Sequence, residues 1–260
     1  MIEGKRPFIE TTWSSPLSSL SRRLEATEFI AKRMIGIYGG TFNPIHTAHL
    51  RAAEEVCEGL GLDRMLFIPS ARPPHKSDCG QHIASADLRF QWVQQALAGH
   101  PLFEADPIEK DRPGHSYLVD TLKALRERHA DQRLVFVVGQ DAFSEMGTWR
   151  SPREIFRLAD VAVTTRPPQI EAALEAWLPA CVRNDFDVDP RQQSATHRTS
   201  DTSIRLVPVT PMDISASRIR QAIRTGQSIR YLVPESIRQS ILKSGVYQTG
   251  SSREGDLVAD

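Results

Sequence analysis

The sequence predicts an α/β protein in which a parallel sheet is doubly wound, with helices on both faces. Three observations lead to this prediction. Short apolar runs that suit buried strands alternate with longer segments of helical periodicity over most of the chain. The run LVFVV at 134–138 is continuous, as expected of a strand that helices cover on both sides. The chain has 260 residues, of which 40% are hydrophobic, enough to bury one core.

Strands are predicted from apolar runs that end at turn-forming residues. In chain order they cover residues 34–38, 65–68, 102–108, 134–138, 161–164 and 204–209. The first run enters a tight turn at Gly39-Gly40, and the second ends at Pro69. Right-handed crossovers between parallel strands place helices on both faces, which gives a Rossmann-like sheet. Such sheets bind ligands beyond the carboxyl ends of their strands.

Helices are predicted where apolar residues recur every three to four positions. They cover residues 50–60, 85–98, 116–129, 217–225 and 234–244. A further helix begins at Ser151, where an N-cap serine, Pro152 at the first position and Glu154 combine into a predicted capping box. The polar segment over 181–203 is predicted to be an irregular surface loop.

The predicted organisation is a single domain between two tails. Residues 1–33 form an N-terminal extension that we expect to be partly disordered, 34–247 form the domain, and 248–260 form a disordered tail. Lys and Arg balance Asp and Glu, which disfavours a nucleic-acid partner. No apolar run approaches the ~20 residues of a membrane span, so we expect no membrane partner. The three cysteines have neither disulfide nor zinc spacing, which indicates a cytoplasmic location.

The loop after the first strand has the composition of a phosphate-binding site. It reads GGTFNPIHTAH from Gly39 to His49. The glycines let the backbone approach a ligand closely, and the next helix presents free N–H groups and the positive end of its dipole. His46 and His49 are three residues apart and therefore share one face of that helix. The combination predicts a cradle for phosphate.

A second motif, ISASRIR at 214–220, follows the last predicted strand and opens a helix. Ser217 is predicted to be the N-cap of this helix. The hydroxyls of Ser215 and Ser217 can donate hydrogen bonds, and Arg220 can direct two donors at phosphate oxygens. By itself, a capped basic helix is a common structural feature. In a doubly wound sheet, however, both motifs can reach the same crevice and hold one triphosphate.

These motifs resemble those of bacterial nicotinate-nucleotide adenylyltransferases, which carry an HxGH signature. The first motif is similar to the family's GGTF(D/N)PxHxGH, with Ala48 where the family usually has glycine, and the second is similar to ISxTxxR. Further similarities are PPHK at 73–76, SYLVDTL at 116–122, Gly139-x-Asp141 followed by Trp149, TRP at 165–167, and YLVP at 231–234 with Gly245-Val246-Tyr247. The resemblance extends from about residue 34 to residue 247.

The resemblance implies an enzyme that transfers the adenylyl group of ATP to nicotinate mononucleotide and releases pyrophosphate. It implies that His46, His49 and Arg220 are catalytic. The implied ATP-binding residues are Gly39, Gly40, Thr41, Phe42, His46, His49, Gly139, Asp141, Ile214, Ser215, Ser217 and Arg220. The implied residues for nicotinate mononucleotide are Lys76, Ser116, Tyr117, Leu118, Trp149 and Arg166.

The expected reaction needs no covalent nucleophile. Cys57 lies on the apolar face of a predicted helix and is expected to be an inert core residue. The 5′-phosphate of the acceptor can attack the α-phosphorus of ATP in line, with positioning and charge stabilisation as the main contributions of the protein. Mg²⁺ is expected to bind through the ATP phosphates, without a metal site built by the protein.

Three alternatives remain open from the sequence. The acceptor can be nicotinamide mononucleotide, because the sequence does not show how the backbone donors are aimed. It can also be phosphopantetheine, although Trp149 and the Ser116-Tyr117 helix start favour a pyridine nucleotide. The third alternative is a non-catalytic, nucleotide-binding regulatory module, which the presence of His46, His49 and Arg220 disfavours. The sequence makes no prediction about oligomeric state.

Overall fold

A computed structural model describes residues 33–73, 83–166, 174–191 and 193–248 of the chain. The predicted N-terminal extension lies outside the described residues except for its last residue, and the C-terminal tail lies outside them except for its first. Lys76, which the resemblance implicates in acceptor binding, also lies outside them. The predicted boundaries at residues 34 and 247 remain predictions.

An eight-stranded sheet lies at the centre of the fold. Its strands are β1 (Met34–Gly40), β2 (Arg64–Pro69), β3 (Phe103–Ala105), β4 (Arg133–Gly139), β5 (Asp160–Thr165), β6 (Phe186–Asp189), β7 (Ser194–His197) and β8 (Ser203–Pro208). Their spatial order is β3-β2-β1-β4-β5-β8-β7-β6. All pairs from β3 to β8 are parallel, while β7 is antiparallel to both of its neighbours. The predicted α/β class and doubly wound sheet are therefore confirmed.

Helices cover both faces of this sheet. They are α1 (Thr47–Leu60), α2 (Ala86–Leu97), α3 (Leu118–Arg128), α4 (Gln140–Glu145), α5 (Pro152–Leu158), α6 (Leu174–Trp177), α7 (Ala216–Arg224) and α8 (Glu235–Ser244). One face packs against α1, α2, α7 and α8, and the other packs against α3, α4, α5 and α6. In β4, Val135 and Val137 face the first core, whereas Phe136 faces the second. Because successive side chains of a strand point to opposite faces, the continuous apolar run at 134–138 packs into the cores on both faces of the sheet.

The prediction of an irregular surface loop over 181–203 is wrong. The segment contains a short 3₁₀ turn at Arg183–Asp185 and the antiparallel strands β6 and β7. Each strand has only four residues, and buried positions such as Phe186 and Ala195 alternate with exposed ones. Such short strands are too polar to produce an apolar run. Pairing of β7 with the edge of β8 establishes the hairpin.

Several predicted element boundaries also need correction. Gly39 and Gly40 belong to β1 and pair with β2, so the loop begins at Thr41, two residues later than predicted. β3 spans three residues instead of the predicted seven. Ser151 does not cap α5 with its side chain, because its backbone adopts the left-handed conformation (φ 54°, ψ 56°). α4 and α6 were not predicted, since each is too short to show helical periodicity.

Candidate active site

Two main cavities, and a third that adjoins one of them, open at the carboxyl ends of the parallel strands, where the fold predicts a ligand site. One, of about 330 Å³, is lined by His46, His49, Ala48, Arg166 and Ser215 and is called here the histidine cavity. A neighbouring cavity of about 450 Å³ shares Gly139, Thr164, Arg166 and Met212 with it, and adds Asp141 and Asp213. The other, of about 340 Å³, is lined by Gly40, Ser116, Tyr117, Trp149 and Arg150 and is called the tryptophan cavity.

Two stacked imidazoles occupy the N-terminus of α1. The rings of His46 and His49 lie 3.6 Å apart and within 21° of parallel. The backbone N–H of His46, the N-cap residue, donates to Nδ1 of His49 at 3.2 Å. No acidic side chain lies in the first turn of the helix. The positive end of the helix dipole is therefore available to an anion in the histidine cavity.

Burial keeps His46 neutral when the cavity holds no anion. Its side chain is 5% exposed, and its Nδ1 is buried without a hydrogen-bond partner among the described residues. Burial first, and then the positive charge of Arg166, lower the pKa of His46 from 6.5 to about 4. An arriving phosphate would oppose both effects by favouring the protonated imidazole. His46 can therefore respond to an anion by taking up a proton.

The loop between β1 and α1 is held from behind by buried polar groups. Arg220 Nη1 donates to the carbonyl oxygen of Asn43 at 2.8 Å. The Asn43 side-chain oxygen accepts from the Tyr247 hydroxyl and from the backbone N–H of Ala84. Arg220 is only 7% exposed, and burial lowers its pKa. Through this donor Arg220 supports the loop, and the expectation that Arg220 also contacts phosphate remains a prediction.

Arg89 gives the same loop a second support that the sequence analysis missed. Its guanidinium is 1% exposed and donates to four backbone carbonyls. The acceptors are the carbonyl oxygens of Thr41, Ser70, Ala71 and Ala84, at distances of 2.7 to 3.2 Å. Arg89 thus connects the loops that follow β1 and β2. An arginine inside an amphipathic helix gives no sequence signal that distinguishes this role from a solvated one.

The start of α7 lies on the wall of the histidine cavity. Ile214, Ser215 and Ala216 line it. The Ser215 hydroxyl caps the helix by accepting from the Arg218 N–H at 3.3 Å, so the prediction that Ser217 is the N-cap was wrong. The Ser217 hydroxyl lies 3.2 Å from that of Ser215. The two hydroxyls therefore remain together at the open end of the helix.

Glu55 fastens α1 to the loop that follows β8. Its carboxylate accepts from the N–H and the hydroxyl of Thr210, both at 2.6 Å. Arg51 donates to the same carboxylate at 2.7 Å. Burial opposes ionisation, but these hydrogen bonds, with Thr210 first, leave the pKa of Glu55 lowered. Thr210 lines the histidine cavity, so this contact fixes the distance between two of its walls.

The tryptophan cavity is built around the start of α3. Tyr117 is the N-cap residue and gives the helix no side-chain cap. The Ser116 hydroxyl accepts from the N–H groups of Ala71 and Arg72, which ties this turn to the loop after β2. The half-buried ring of Trp149 packs edge-to-face against Phe136, with 6.2 Å between centroids. An aromatic surface and an uncapped helix N-terminus thus face the same space.

Glu109 is an acidic residue that the sequence analysis did not single out. It lines the tryptophan cavity and is 6% exposed. Its Oε1 accepts from the Thr121 hydroxyl at 2.7 Å, while Oε2 is buried without a partner among the described residues. Burial is the largest influence and raises the pKa of Glu109 above its usual range. The fold therefore opposes a negative charge at this position.

Comparison with known proteins identifies the family. A family model described as cytidylyltransferase-like matches residues 37–222. A protein from Geotalea uraniireducens, named probable nicotinate-nucleotide adenylyltransferase, is 43% identical over 213 residues, covering 82% of this chain and 97% of the relative. A protein of the same name from Trichlorobacter lovleyi is 46% identical over 214 residues, covering 82% and 99%. The chain belongs to the nicotinate-nucleotide adenylyltransferase family.

Solved structures of other proteins share the fold of this chain. The nicotinic acid mononucleotide adenylyltransferase of Plasmodium falciparum, complexed with NaAD, superposes with a TM-score of 0.63 at 15% identity, covering 83% of this chain and 97% of that chain. A putative nicotinate-nucleotide adenylyltransferase from Vibrio parahaemolyticus superposes with a TM-score of 0.53, also at 15% identity, covering 83% and 96%. At this identity the likeness establishes the fold.

Most residues implied by the adenylyltransferase resemblance lie at these cavities, but Ser217 and Arg220 line none of them and five others are placed differently from expectation. Gly39, Gly40 and Thr41 line the tryptophan cavity instead of the histidine cavity. The Phe42 side chain is 3% exposed and packs into the core, so its ring faces neither cavity. Arg166 lines the histidine cavity, apart from the other predicted acceptor residues.

Two departures from the adenylyltransferase motifs can be placed. Ala48 lines the histidine cavity, as expected of the position where the family usually has glycine. Leu118 lines the tryptophan cavity as the first residue of α3. A Cβ on Gly40 would lie 3.0 Å from the Phe42 ring, which gives this glycine a packing reason in addition to backbone access.

Cys57 is buried, as predicted for an inert core residue. Burial, followed by Glu54 and Glu58, raises the pKa of its thiol to about 12. None of the helices in the described part of the chain has the length and apolar character needed to cross a membrane. Within the same ranges, no three His, Cys, Asp or Glu side chains form a group that could hold a metal ion.

Proposed function

We propose that this protein transfers the adenylyl group of ATP to nicotinate mononucleotide, which gives nicotinate adenine dinucleotide and pyrophosphate. The observation that carries the proposal is the stacked His46–His49 pair at the N-terminus of α1, in one cavity with Arg166 and Ser215. The names of the relatives support it, as does the Plasmodium falciparum protein complexed with NaAD.

The histidine cavity is proposed to hold the triphosphate. His46 and His49 would donate from the N-terminus of α1, with Arg166 as a positive charge and Ser215 and Ser217 as hydroxyl donors from the start of α7. Both helix ends would direct their dipoles at the anion. Donors aimed at charge that develops in the transition state each contribute about 2–4 kcal/mol. Gly139, Asp141 and Ile214 would contact the adenosine part.

The proposed reaction is one in-line displacement. An oxygen of the acceptor 5′-phosphate attacks the α-phosphorus of ATP and forms the new P–O bond, while the bond to the bridging oxygen of pyrophosphate breaks. No covalent intermediate is required, and the buried Cys57 is not available as a nucleophile. His46 would enter the reaction neutral or take up a proton as the triphosphate binds. Arg220 is proposed to act as a positioning residue behind the loop.

Mg²⁺ is proposed to arrive with ATP, bound through phosphate oxygens. When bound, it neutralises negative charge on the phosphates. The residues present fit such an ion. Asp141 and Asp213 line the cavity that adjoins the histidine cavity, and their carboxylates would accept hydrogen bonds from water bound to Mg²⁺. Asp213 also forms an ion pair with Arg218, which partly offsets its negative charge, so we do not propose it as a direct ligand of the metal ion.

The tryptophan cavity is proposed to hold the acceptor. The nicotinate ring would stack on Trp149, and its carboxylate would meet the uncapped N–H groups at the start of α3, beside Ser116, Tyr117 and Leu118. Gly40 and Thr41 line the tryptophan cavity, and the loop that they begin continues to His46 in the histidine cavity. The acceptor phosphate could therefore point toward the triphosphate.

Both described cysteines, Cys57 and Cys181, are free, which supports a cytoplasmic location.

The test is pyrophosphate release from ATP and Mg²⁺ with nicotinate or nicotinamide mononucleotide as acceptor. We expect rapid release with the nicotinate form and slow release with the amide. Equal rates would retain the adenylyl transfer and reject the acceptor preference. If folded protein released pyrophosphate with neither, the proposal would be wrong. Phosphopantetheine would then be the next acceptor, and ATP binding without turnover would favour a regulatory module.

A further inference from the structure

Arg150 is a cation on the tryptophan cavity that the sequence analysis did not single out. Its Cζ lies 4.7 Å from the centroid of the Tyr117 ring, in cation–π contact. Its Nη1 lies 3.3 Å from Oδ2 of Asp120, in the first turn of α3. The side chain is 55% exposed, so its guanidinium remains accessible from the cavity. Two contacts thus hold it beside the helix start.

The charges around the tryptophan cavity are unequal. Among the described residues that line it, Arg150 is the one cationic side chain and Glu109 the one acidic side chain. Glu109 is buried and resists ionisation, and Asp120, which pairs with Arg150, is not among the residues that line the cavity. The guanidinium of Arg150 is therefore the charged group that the cavity presents to a ligand. A cavity with this field prefers an anionic ligand group to a neutral one of the same shape. A guanidinium also matches the planar geometry of a carboxylate.

Chain connectivity places Arg150 at the ring end of the proposed acceptor. Arg150 follows Trp149, on which the ring would stack, and it contacts Tyr117, the residue before α3. Immediately afterwards, Ser151 adopts the left-handed conformation, so the chain turns sharply into α5. A strained non-glycine residue next to a cavity often marks a functional position. The 5′-phosphate must lie at the opposite end, toward the histidine cavity.

We infer that the Arg150 guanidinium contacts the ring carboxylate of the acceptor and thereby selects nicotinate over nicotinamide mononucleotide. The inference rests on the proposed function and deepens it. The backbone donors of α3 alone can serve a carboxylate or an amide oxygen, because both accept hydrogen bonds. Only a charged group separates the two acceptors by their net charge. Arg150 is therefore a specificity-determining residue, held ready by Tyr117 and Asp120.

The test compares wild-type protein with Arg150→Gln and Arg150→Lys, and with Arg153→Gln as the matched control. Arg153 follows the same turn in sequence, but its side chain contacts Asp185 and the Cys181 carbonyl and does not line the tryptophan cavity. Titration calorimetry with each mononucleotide measures binding, and pyrophosphate release measures kcat/KM. For Arg150→Gln we expect about a tenfold loss of affinity for the nicotinate form. The amide form should change by less than about twofold, within the range of a lost surface contact. The affinity of Arg150→Lys for the nicotinate form should lie between those of wild type and Arg150→Gln.

The outcomes separate the inference from the proposed function. Equal loss with both acceptors, or no loss with either, would overturn the role of Arg150 while wild-type turnover still supported adenylyl transfer. A loss confined to nicotinate mononucleotide in the binding titration would support the inference without any turnover. Wild-type protein that neither binds nor converts either mononucleotide would overturn both. Thermal unfolding of each variant with ATP verifies that the histidine cavity is intact.

Discussion

At the scale of single residues, His46 illustrates how packing changes chemistry that sequence suggests. The motif predicts an imidazole that can carry positive charge, but burial and Arg166 lower its pKa to about 4. Between pH 6.5 and 4 the unfolded chain therefore binds a proton that the folded chain excludes. His46 contributes stability above pH 6.5, and this contribution is lost as the pH falls toward 4.

The His46→Asn variant should show a weaker pH dependence of stability. Asparagine is a favoured N-cap residue, so α1 should still form. Between about pH 7 and about pH 4.5, we expect the free energy of unfolding to fall by about 2 kcal/mol less than in wild-type protein. Urea denaturation at a series of pH values measures this. The exposed His115→Asn change should leave the wild-type profile intact, and identical profiles for His46→Asn and wild type would contradict the assignment.

At the scale of elements, the segment from β1 to α1 depends on supports from distant parts of the chain. Arg89 in α2, Arg220 in α7 and Tyr247 after α8 all contact it or its neighbours. Each support is buried, and each hydrogen bond within a buried network is costly to leave unmade. The geometry of the proposed phosphate site is thus set in part by three side chains that do not line the histidine cavity.

Arg220→Lys distinguishes a positioning role from direct phosphate binding. Lysine keeps the charge but cannot reproduce the guanidinium geometry at the Asn43 carbonyl. We expect the free energy of unfolding to fall by about 1–3 kcal/mol, and kcat to fall more than KM for ATP rises. Arg218→Lys, on the exposed side of the same helix, should change stability by less than about 0.5 kcal/mol. A large rise in KM for ATP at unchanged stability would instead identify Arg220 as a phosphate ligand.

At the scale of the whole molecule, the doubly wound sheet brings the two cavities to one edge. The loops after β1, β4, β5 and β8 contribute to the histidine cavity and its neighbour, while the loops after β1, β2, β3 and β4 contribute to the tryptophan cavity. The loop after β1 is common to both. Two substrates bound at this edge would therefore meet at the segment that carries His46 and His49.

Removal of divalent metal should abolish turnover without destabilising the ligand-free protein. If Mg²⁺ is carried by the ATP phosphates, EDTA removes a component of the substrate and leaves the fold unchanged. We expect pyrophosphate release to stop and to return on addition of excess Mg²⁺. Thermal unfolding without ATP should be the same with and without EDTA. A lower unfolding temperature in EDTA would point to an ion held by the protein itself.

The sequence by itself determined the features that depend on local patterns. Alternation of apolar runs and helical periodicity identified the parallel strands, and glycines such as Gly61 and Gly245 marked helix ends that the structure confirms with left-handed backbone. Chemical identity and spacing also placed His46 and His49 on one helix start. These signals are local because they depend on residues within a few turns of each other.

Only the tertiary structure decided which groups are buried, paired or brought together over long distances. It turned Arg220 inward to Asn43, moved Arg166 to the histidine cavity, and paired β7 with β8 in a segment without an apolar run. It also placed Arg150 over Tyr117, 33 positions earlier in the numbering. Each outcome depends on neighbours supplied by other elements, and a residue's type and local spacing do not specify those neighbours. Solvation and charge, which set the pKa of His46, are likewise properties of the assembled fold.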